Sequence, residues 1–333
     1  MANSGLDTQY IVGAYTTSPN LYTWNEKSEL SYFKALKSLK SIKGLELPFW
    51  GDSIHPFDDD WLFNNINPKW NNIVTCIPGT MKRLEIDPYF GLGSKKEKSR
   101  QEAINFYFIV YKCVNDLKKR FGENTVTDIT IASSPYVRKE FRYSSEEKFI
   151  TSLIELVSWE WGNTKIVIEH CDAFSSSNLE PIKGFLTLKE EIIAIKEINN
   201  KMLGIAINWG RSVIEEKSIC GPIKHIEETT KNNLLYGLMF SGTSNNNNNL
   251  YGKWSDLHMP PAKYKDYEYF EEESLMTYKA IKQTLSITEL SSLSFLGIKL
   301  LAKPDNSSLK KRIEINKNTM HLLDDVINMI PVL

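Results

Sequence analysis

Short apolar segments rich in β-branched residues recur along the whole chain, and each is too short to form a helix of ordinary length. Several of them lack the polar/apolar alternation of a half-exposed strand. Continuous apolar runs are typical of strands that are buried on both faces of a parallel sheet. The pattern predicts eight strands, at Tyr10–Tyr15, Gly44–Leu47, Asn72–Ile77, Asp128–Ala132, Lys165–Glu169, Leu203–Asn208, Leu234–Phe240 and Leu293–Leu301.

Helical segments separate these strands. Three of them follow a capping-box pattern, in which a hydroxyl and a carboxylate three residues apart satisfy free N–H groups at the start of a helix. The boxes Ser94/Glu97, Ser144/Glu147 and Thr187/Glu190 predict helices over Arg100–Phe121, Phe149–Trp161 and Ile192–Lys201. Further helices are predicted from Asn25 or Ser28 to Lys40, over Glu271–Thr284 and over Lys317–Met329.

The alternation of strand, loop and helix, repeated eight times, predicts an α/β fold: a (β/α)8 TIM barrel formed by residues 1–333 as a single domain. The rival fold, a doubly wound open sheet, would carry a glycine-rich first turn, and the segment after Gly13 has no GxGxxG pattern. We expect a long loop insertion around residues 241–270, which contains the polar run Asn245–Asn249, and a C-terminal helix over residues 317–330.

Composition narrows the class of protein. The chain of 333 residues is 41% hydrophobic and 24% charged, which is ordinary for a globular protein. Forty Lys and Arg residues face 41 Asp and Glu residues, without a basic stripe, so we expect no nucleic-acid partner. No apolar run approaches the roughly 20 residues of a membrane span, the first seven residues lack a leader pattern, and the four cysteines form no CxxC pair. The sequence therefore predicts a cytoplasmic protein without membrane contact.

The carboxyl ends of the strands are where a barrel of this type carries its active site. The densest cluster there is Glu169–Asp172 (Glu-His-Cys-Asp), whose charges need partners or solvent because buried charge is costly. It predicts either a catalytic or metal-binding carboxylate, or a structural ion-pair network. Lys299 interrupts an apolar strand. We expect it either at the barrel mouth, as a base, an anion clamp or a Schiff-base amine, or extended outward along a helix.

Other polar and aromatic residues accompany these charges. Arg211 suits bidentate binding of a substrate carboxylate or phosphate, or pairing with Glu169 or Asp172. Asp256 and His258 lie two residues apart in the long loop, a spacing that suits metal ligation or general-base chemistry, or a simple turn before two prolines. The candidate substrate-binding residues are Glu46, Trp50, Tyr136, Asn208, Trp209 and Arg211.

With these residues, the chain resembles the xylose isomerase-like TIM-barrel superfamily of sugar isomerases and epimerases, and within it an uncharacterised bacterial family of sugar-phosphate isomerases. The resemblance spans nearly the whole chain. It rests on Gly44-Leu45-Glu46, Glu169-His170, the run Gly204–Asn208 and Gly297-Ile298-Lys299. It implies an isomerase or epimerase that acts on a sugar, a sugar phosphate or a similar small polyhydroxy substrate, and related barrels often form homodimers.

The resemblance also implies a divalent metal on four ligands at the ends of strands 5 to 8. Glu169 matches the first position, whereas Asn208, Ser241 and Lys299 stand at the other three, and a cation at Lys299 would repel a metal. One alternative is a relocated centre for Mn, Zn, Fe or Co that uses Glu169, Asp256 and His258.

The other alternative is a site without metal, in which Lys299 holds an oxyanion and Glu169 or His170 moves the proton. Glu169, His170 and Lys299 are accordingly the candidate catalytic residues. Two competing functions remain open at this point. One is a lyase or aldolase that uses Lys299 as its amine, and the other is a non-catalytic barrel that binds a small ligand.

Overall fold

Eight parallel strands close into a barrel in the computed structural model, which describes residues 8–330. The strands are β1 (Tyr10–Val12), β2 (Ile42–Pro48), β3 (Asn72–Thr75), β4 (Val126–Ile131), β5 (Lys165–His170), β6 (Leu203–Asn208), β7 (Leu235–Phe240) and β8 (Phe295–Ile298). They pair in chain order, and β8 returns to β1 through Ile11 opposite Gly297 and Val12 opposite Ile298. The predicted (β/α)8 TIM barrel is confirmed. The expectation about a leader concerns residues 1–7, which lie outside the described residues.

Helices follow the strands and cover the outer face of the barrel. They are α1 (Ala14–Thr17), α2 (Glu26–Ser38), α3 (Asp59–Asn65), α4 (Ile77–Ile86), α5 (Glu97–Phe121), α6 (Glu146–Val157), α7 (Leu188–Ile198), α8 (Trp209–Glu216), α9 (Gly221–Lys231), α10 (Tyr278–Leu285) and α11 (Leu309–Ile327). None of the helices between residues 8 and 330 combines the length and the apolar character needed to cross a bilayer.

Side chains of each strand alternate between the barrel interior and the layer beneath the helices. A small apolar cluster fills the interior, formed by Ile11, Ile73, Val167, Ala206, Met239 and Phe295. A much larger cluster joins the outer faces of the strands to the helices. Residues two positions beyond the interior ones, such as Glu169 beyond Val167, therefore point into the mouth of the barrel, whereas their immediate neighbours point outward.

The three predicted capping boxes behave differently. Thr187 and Glu190 form the predicted box at the start of α7. The box predicted at Ser94 is wrong, since α5 begins after Lys96 without a side-chain cap, and the Ser94 hydroxyl instead accepts the backbone N–H of Lys96. Ser94 pairs with Ser144 in an isolated antiparallel bridge. Because both serines take part in this bridge, neither caps a helix, and Ser145 caps α6 instead of Ser144.

Two predicted helix starts move because the capping hydroxyls lie elsewhere. The helix predicted from Glu271 begins at Tyr278, where the Thr277 side chain accepts the N–H of Ala280. The C-terminal helix begins at Leu309, eight residues before Lys317, because Ser308 caps it. The long loop after β7 runs over residues 241–277. The sequence pattern missed α1, α3, α4, α8 and α9. The first of these takes up the end of the predicted strand Tyr10–Tyr15, and the other four lie largely in stretches interpreted as loops.

Candidate active site at the barrel mouth

Lys299 and Glu46 form a buried ion pair inside the barrel mouth. The Lys299 ammonium lies 3.0 Å from one Glu46 oxygen and 3.2 Å from the other, and both side chains are 1% exposed. Gly13 at the end of β1 makes room for the pair, since a Cβ there would lie 2.9 Å from Lys299 Cγ and 3.0 Å from Glu46 Oε2. Lys299 therefore points into the mouth, the first of its two predicted orientations.

Each member of this pair changes the protonation of the other. Burial raises the pKa of Glu46, and the neighbouring Lys299 offsets this only in part. Burial disfavours the charge of Lys299, but the negative charge of Glu46 outweighs that effect and raises the lysine pKa. Lys299 is therefore a protonated ammonium paired with the Glu46 carboxylate, and burial makes this carboxylate easier to protonate than an exposed one.

A second network of ion pairs surrounds Arg211, which lies in the first turn of α8. Its Nη1 donates to Glu169 Oε1 at 2.5 Å, and its Nε donates to Asp256 Oδ2 at 3.0 Å. Lys183, from the loop between β5 and α7, donates to the same Asp256 oxygen. Burial by itself would raise the pKa of Glu169, but Arg211 and Lys299 together lower it. Burial opposes the ionisation of Asp256 as well, and Arg211 and Lys183 nevertheless hold its pKa far below the usual range.

His258 closes the site from the long loop. Its Nδ1 lies 2.8 Å from the Ser241 hydroxyl and 3.6 Å from Asp256 Oδ1. Burial lowers the pKa of His258 well below its ordinary value, so the ring is neutral. Asp256 and His258 thus do share the mouth with Glu169, as the sequence predicted.

The donor set of the mouth does not fit a divalent metal. Glu169 is engaged by a guanidinium, and Lys299 places an ammonium at the fourth expected ligand position. The Asn208 oxygen accepts the N–H of Arg211 and caps α8. In the relocated set, Arg211 bonds to both Glu169 and Asp256, so that a protein cation stands between two of the three candidate ligands. Three carboxylates here face three cations, and the charge of this network is already balanced by the protein.

His170 does not join this cluster, although it is adjacent to Glu169 in sequence. Strand alternation directs it outward, where Nδ1 lies 2.7 Å from Glu191 Oε2 on α7 and Nε2 lies 3.0 Å from Glu215 Oε2 on α8. Burial would lower the pKa of His170, but the two carboxylates raise it to about 10. The barrel wall therefore separates two residues that the sequence pattern grouped together.

The aromatic residues predicted to bind substrate lie in different parts of the structure. Trp209 is fully buried and donates from Nε1 to Thr284 on α10, so it packs between helices. Trp50 stays near the mouth and contacts the Tyr15 ring edge-to-face at 6.3 Å, and Tyr15 in turn lies 5.2 Å from the Lys299 ammonium. Tyr136 stacks on Phe185 in the loops above β4 and β5.

Unpaired polar atoms collect at this end of the barrel. Among the described residues, eight buried side-chain polar atoms form no hydrogen bond, and five of them belong to residues of the mouth, four near strand ends and one in the long loop. These five are Glu46 Oε2, whose 3.0 Å contact with Lys299 is an ion pair without hydrogen-bond geometry, Trp50 Nε1, Thr75 Oγ1, Asn208 Nδ2 and Asp256 Oδ1. Buried polar atoms are normally paired, so this grouping indicates that water or a ligand satisfies them. A cavity of about 40 Å³, lined by Tyr15, Glu46 and Trp50 among others, reaches the Glu46 carboxyl.

Sequence reasoning missed Lys183, because it lies in an irregular loop without any motif and becomes functional only through the contact of that loop with Asp256. It also missed Glu191, Glu215 and His225, which lie on helix faces that meet His170. The helices that carry Glu215 and His225 were not predicted, so no signal in the pattern pointed to these residues.

The barrel is similar to several solved sugar epimerases. It matches L-ribulose 3-epimerase with a TM-score of 0.58 and 10% identity, over 96% of this chain and 95% of the other. It matches 3-keto-D-glucoside 4-epimerase of E. coli with a TM-score of 0.56 and 12% identity, over 94% and 100%. D-psicose 3-epimerase of Clostridium cellulolyticum gives a TM-score of 0.55 and 14% identity, over 96% and 97%. At this identity the likeness shows the fold alone, a (β/α)8 barrel.

Sequence comparison identifies a relative at higher identity and a family. The chain is 32% identical to the uncharacterized protein STM3670 of Salmonella typhimurium over 319 residues, which cover 95% of this chain and 97% of the relative. A family model described as a domain of unknown function, DUF4862, matches residues 11–315. Because that match includes all of β2–β8 and the mouth residues between them, the chain belongs to the DUF4862 family.

Proposed function

We propose that this protein is a sugar isomerase or epimerase that transfers a proton on a small polyhydroxy substrate at the barrel mouth. The observation that carries the proposal is the group of five unpaired polar atoms around the mouth ion pairs. The group mixes donors with acceptors, and hydroxyl groups both donate and accept hydrogen bonds. A site built to bond hydroxyls discriminates strongly against ligands that lack them, because its own polar atoms would stay unpaired.

The acid and the base follow from the opposite pKa shifts of two carboxyl groups, an arrangement typical of acid–base pairs. The pKa of Glu169 is lowered and that of Glu46 is raised, and the two residues belong to strands three places apart around the barrel. In the proposed step the Glu169 carboxylate removes a proton from the carbon beside the substrate carbonyl. The C–H electron pair becomes the C=C bond of an enediolate, and the carbonyl oxygen takes up the negative charge.

Lys299 supplies the stabilisation of that oxygen. Its ammonium, now held by Glu46, donates to the developing oxyanion, and such preorganised donors are often the largest catalytic contribution. When Lys299 turns from Glu46 to the oxyanion, the Glu46 carboxylate takes up a proton from water and passes it to carbon. Delivery to the opposite face of the same carbon epimerises the substrate. Delivery to the former carbonyl carbon isomerises it, and the hydroxyl proton of the deprotonated carbon then moves to the former carbonyl oxygen. Proton exchange with water restores the two carboxyl groups, so atoms and charges balance over one turnover.

An open groove of about 670 Å³ beside the mouth offers a place for the remainder of the substrate. Its lining includes Trp254, Lys217 and Lys253, with Glu180 at the same groove. The Lys217 ammonium lies 5.3 Å from the centre of the Trp254 ring. Within residues 8–330, neither lysine forms an ion pair with a carboxylate. Two unpaired lysines favour a phosphate or carboxylate substituent on the substrate.

The lyase alternative is less well supported. A Schiff base requires a lysine with a free electron pair, whereas Lys299 is ion-paired with Glu46 and has a raised pKa. A protonated lysine suits oxyanion stabilisation better than nucleophilic attack. We therefore keep proton transfer as the proposed reaction and treat ligand binding without turnover as an outcome of the test.

The test is solvent-deuterium exchange on a panel of aldoses and ketoses, both free and phosphorylated. The protein is incubated with each compound in D2O, and proton NMR records new isomers and loss of carbon-bound hydrogen. We expect exchange and a new epimer or isomer for at least one compound, and a loss of about 100-fold or more in Glu169→Gln, Glu46→Gln and Lys299→Met.

The matched control is Glu271→Gln, a half-buried carboxylate that faces Lys311 at 3.9 Å in the long loop, and we expect it to keep full activity. Circular dichroism and the thermal midpoint establish that each variant is folded. Full activity in both Glu169→Gln and Lys299→Met would overturn the mechanism. Thermal stabilisation by a sugar without any exchange would overturn the enzymatic proposal in favour of a binding barrel.

A further inference from the structure

A second cluster of ionisable residues lies outside the barrel, between the wall at β5 and helices α8 and α9. His170 Nε2 lies 3.0 Å from Glu215 Oε2, and His225 Nε2 lies 3.8 Å from Glu215 Oε1. One ligand atom from each of these three residues falls within 4.8 Å of the others. Two imidazole nitrogens and a carboxylate oxygen therefore converge on one point, which the mouth residues do not touch.

Each of the two histidines is oriented by a polar contact at its Nδ1 atom, as the second ring nitrogen of a metal-ligating histidine generally is. The Nδ1 atom of His170 lies 2.7 Å from Glu191 Oε2, and Ser133 donates to the other Glu191 oxygen at 2.5 Å. The Nδ1 atom of His225 lies 2.9 Å from the Ser212 hydroxyl. Each ring thus has its Nδ1 engaged and its Nε2 directed at Glu215, which is the orientation that a metal bound at Nε2 requires.

The spacing and the bonding of His225 fit an ion better than a hydrogen-bond network. At 3.8 Å, the His225 Nε2 to Glu215 contact is too long for a hydrogen bond. The His225 side chain is nevertheless only 7% exposed. Ligand atoms on a tetrahedral zinc ion, at about 2.0–2.1 Å from it, lie roughly 3.3 Å apart. His170 Nε2 lies 3.0 Å from Glu215 Oε2 and His225 Nε2 lies 3.8 Å from Glu215 Oε1, so both imidazoles approach this one carboxylate at a spacing near that value.

The charged groups around the three residues are compatible with a bound cation. Two carboxyl groups, Glu191 and Glu215, face the two ring nitrogens of His170 at 2.7 and 3.0 Å, so acidic side chains outnumber the cationic groups at contact distance in this cluster. A divalent ion in place of the His170 Nε2 proton would balance both carboxylates. Glu216 lies 4.0 Å from His225 Nε2 and is paired with Lys224, so it borders the cluster without belonging to the converging group.

We infer that His170, Glu215 and His225 form a structural site for a divalent zinc ion, with water as the fourth ligand. The ion would join β5 to α8 and α9 directly, and to α7 through Glu191. Because β5 carries Glu169 and α8 carries Arg211, the site also fixes the two elements that form the mouth ion pair. The inference stands independently of the proposed reaction.

The experiment is metal binding by the purified full chain, prepared without an affinity tag. After treatment with a chelator, the protein is titrated with Zn²⁺ in competition with a chromophoric chelator, and separately with Co²⁺ while visible absorption is recorded. We expect one Zn²⁺ per chain, a raised thermal midpoint with zinc, and the visible bands of tetrahedral cobalt. His225→Gln should weaken zinc binding by at least about 100-fold, and Ser212→Ala by about 10-fold.

His225→Gln keeps a neutral polar group of similar size and leaves the His170–Glu215 contact intact, so it should fold. The control is His55→Asn, a histidine on the opposite side of the barrel in the loop after β2, which should bind zinc like the wild type. Absence of zinc binding and of cobalt bands in the folded wild-type protein would overturn the inference and leave a hydrogen-bond network. Unchanged affinity in His225→Gln would also overturn it.

Discussion

At the scale of single residues, the mouth of this barrel is defined by charges that are stable only as pairs. Lys299 and Glu46 are both almost fully shielded from water, and within residues 8–330 neither has another ion-pair partner. Removing one member of such a pair leaves an uncompensated buried charge, which costs far more than the pair itself contributes. The same property that suits Lys299 for oxyanion stabilisation therefore makes it structurally sensitive.

Substitution of Lys299 by methionine should destabilise the fold by about 3–5 kcal/mol, because Glu46 would lose its counter-ion inside the barrel. Glu46→Gln combined with Lys299→Met should recover a large part of that loss, since the buried negative charge is gone. Urea unfolding of the two single variants and the double variant measures the coupling. Lys303→Met breaks an exposed pair with Asp305 and should change stability by less than about 0.5 kcal/mol. Additive effects of the two mouth substitutions would contradict this prediction.

His55 gives the fold a predictable acid sensitivity. Its Nδ1 accepts the backbone N–H of Asp58 at 2.9 Å, a bond that a protonated ring cannot make. Burial lowers its pKa to about 4 from an ordinary 6.5, with nearby Asp58 opposing the shift. The unfolded chain therefore binds a proton first as the pH falls. The stability contribution of the neutral ring is complete above pH 6.5 and declines by up to about 3 kcal/mol between pH 6.5 and 4.

His55→Asn keeps an acceptor oxygen but does not titrate, so it should lose less stability than the wild type over this interval. Thermal midpoints of both proteins at pH 7 and pH 4.5 measure the difference, and all other titrating groups are common to the two. Equal acid sensitivity of the two proteins would show that His55 is not the responsible group.

At the scale of elements, identical local patterns gave different structures because tertiary contacts decided between them. Thr187 and Glu190 cap α7 as the pattern predicts, whereas Ser144 lies in a bridge with Ser94 and its hydroxyl has no partner. The strand pattern was reliable since it depends on burial over several residues. The capping pattern depends on two residues, and a neighbouring loop can recruit either of them.

This difference leads to opposite effects of similar substitutions. Thr187→Ala should destabilise the protein by about 1 kcal/mol, because the first turn of α7 loses its side-chain acceptor. Ser144→Ala should be neutral or stabilising, because it removes a buried hydroxyl that bonds to nothing among the described residues. Chemical denaturation of both variants tests the pair, and a comparable loss in Ser144→Ala would mean that Ser144 does act as a helix cap.

At the scale of the whole molecule, the barrel brings together residues from distant parts of the chain, and this is where the sequence was least informative. The strand count and alternation predicted that Glu46, Glu169 and Lys299 would meet at one end. Pairing of Arg211 with Glu169 was one of two alternatives that the sequence left open, and the structure shows it. The contacts of Asp256 with Arg211 and Lys183 could not be predicted, because they depend on loop conformation. His170 is the opposite case, in which neighbours in sequence are separated in space. It follows Glu169 directly, but strand alternation places its side chain on the outer side of the barrel wall.

The Lys183–Asp256 pair joins the loop between β5 and α7 to the long loop after β7, above the buried ion pairs. Both side chains are 7% exposed, and under the proposed function we expect a substrate to reach Glu169 and Arg211 when these two loops separate. Lys183→Met should weaken their contact and raise amide hydrogen exchange in residues 176–182 and 253–258, while the barrel strands keep their protection. Lys253→Met, which removes an exposed lysine from the same long loop, should leave exchange unchanged. If Lys183→Met left both loops as protected as in the wild type, backbone contacts would hold the mouth closed, and access would have to occur from the Glu46 side, where the cavity beside Tyr15 and Trp50 already reaches the carboxyl group.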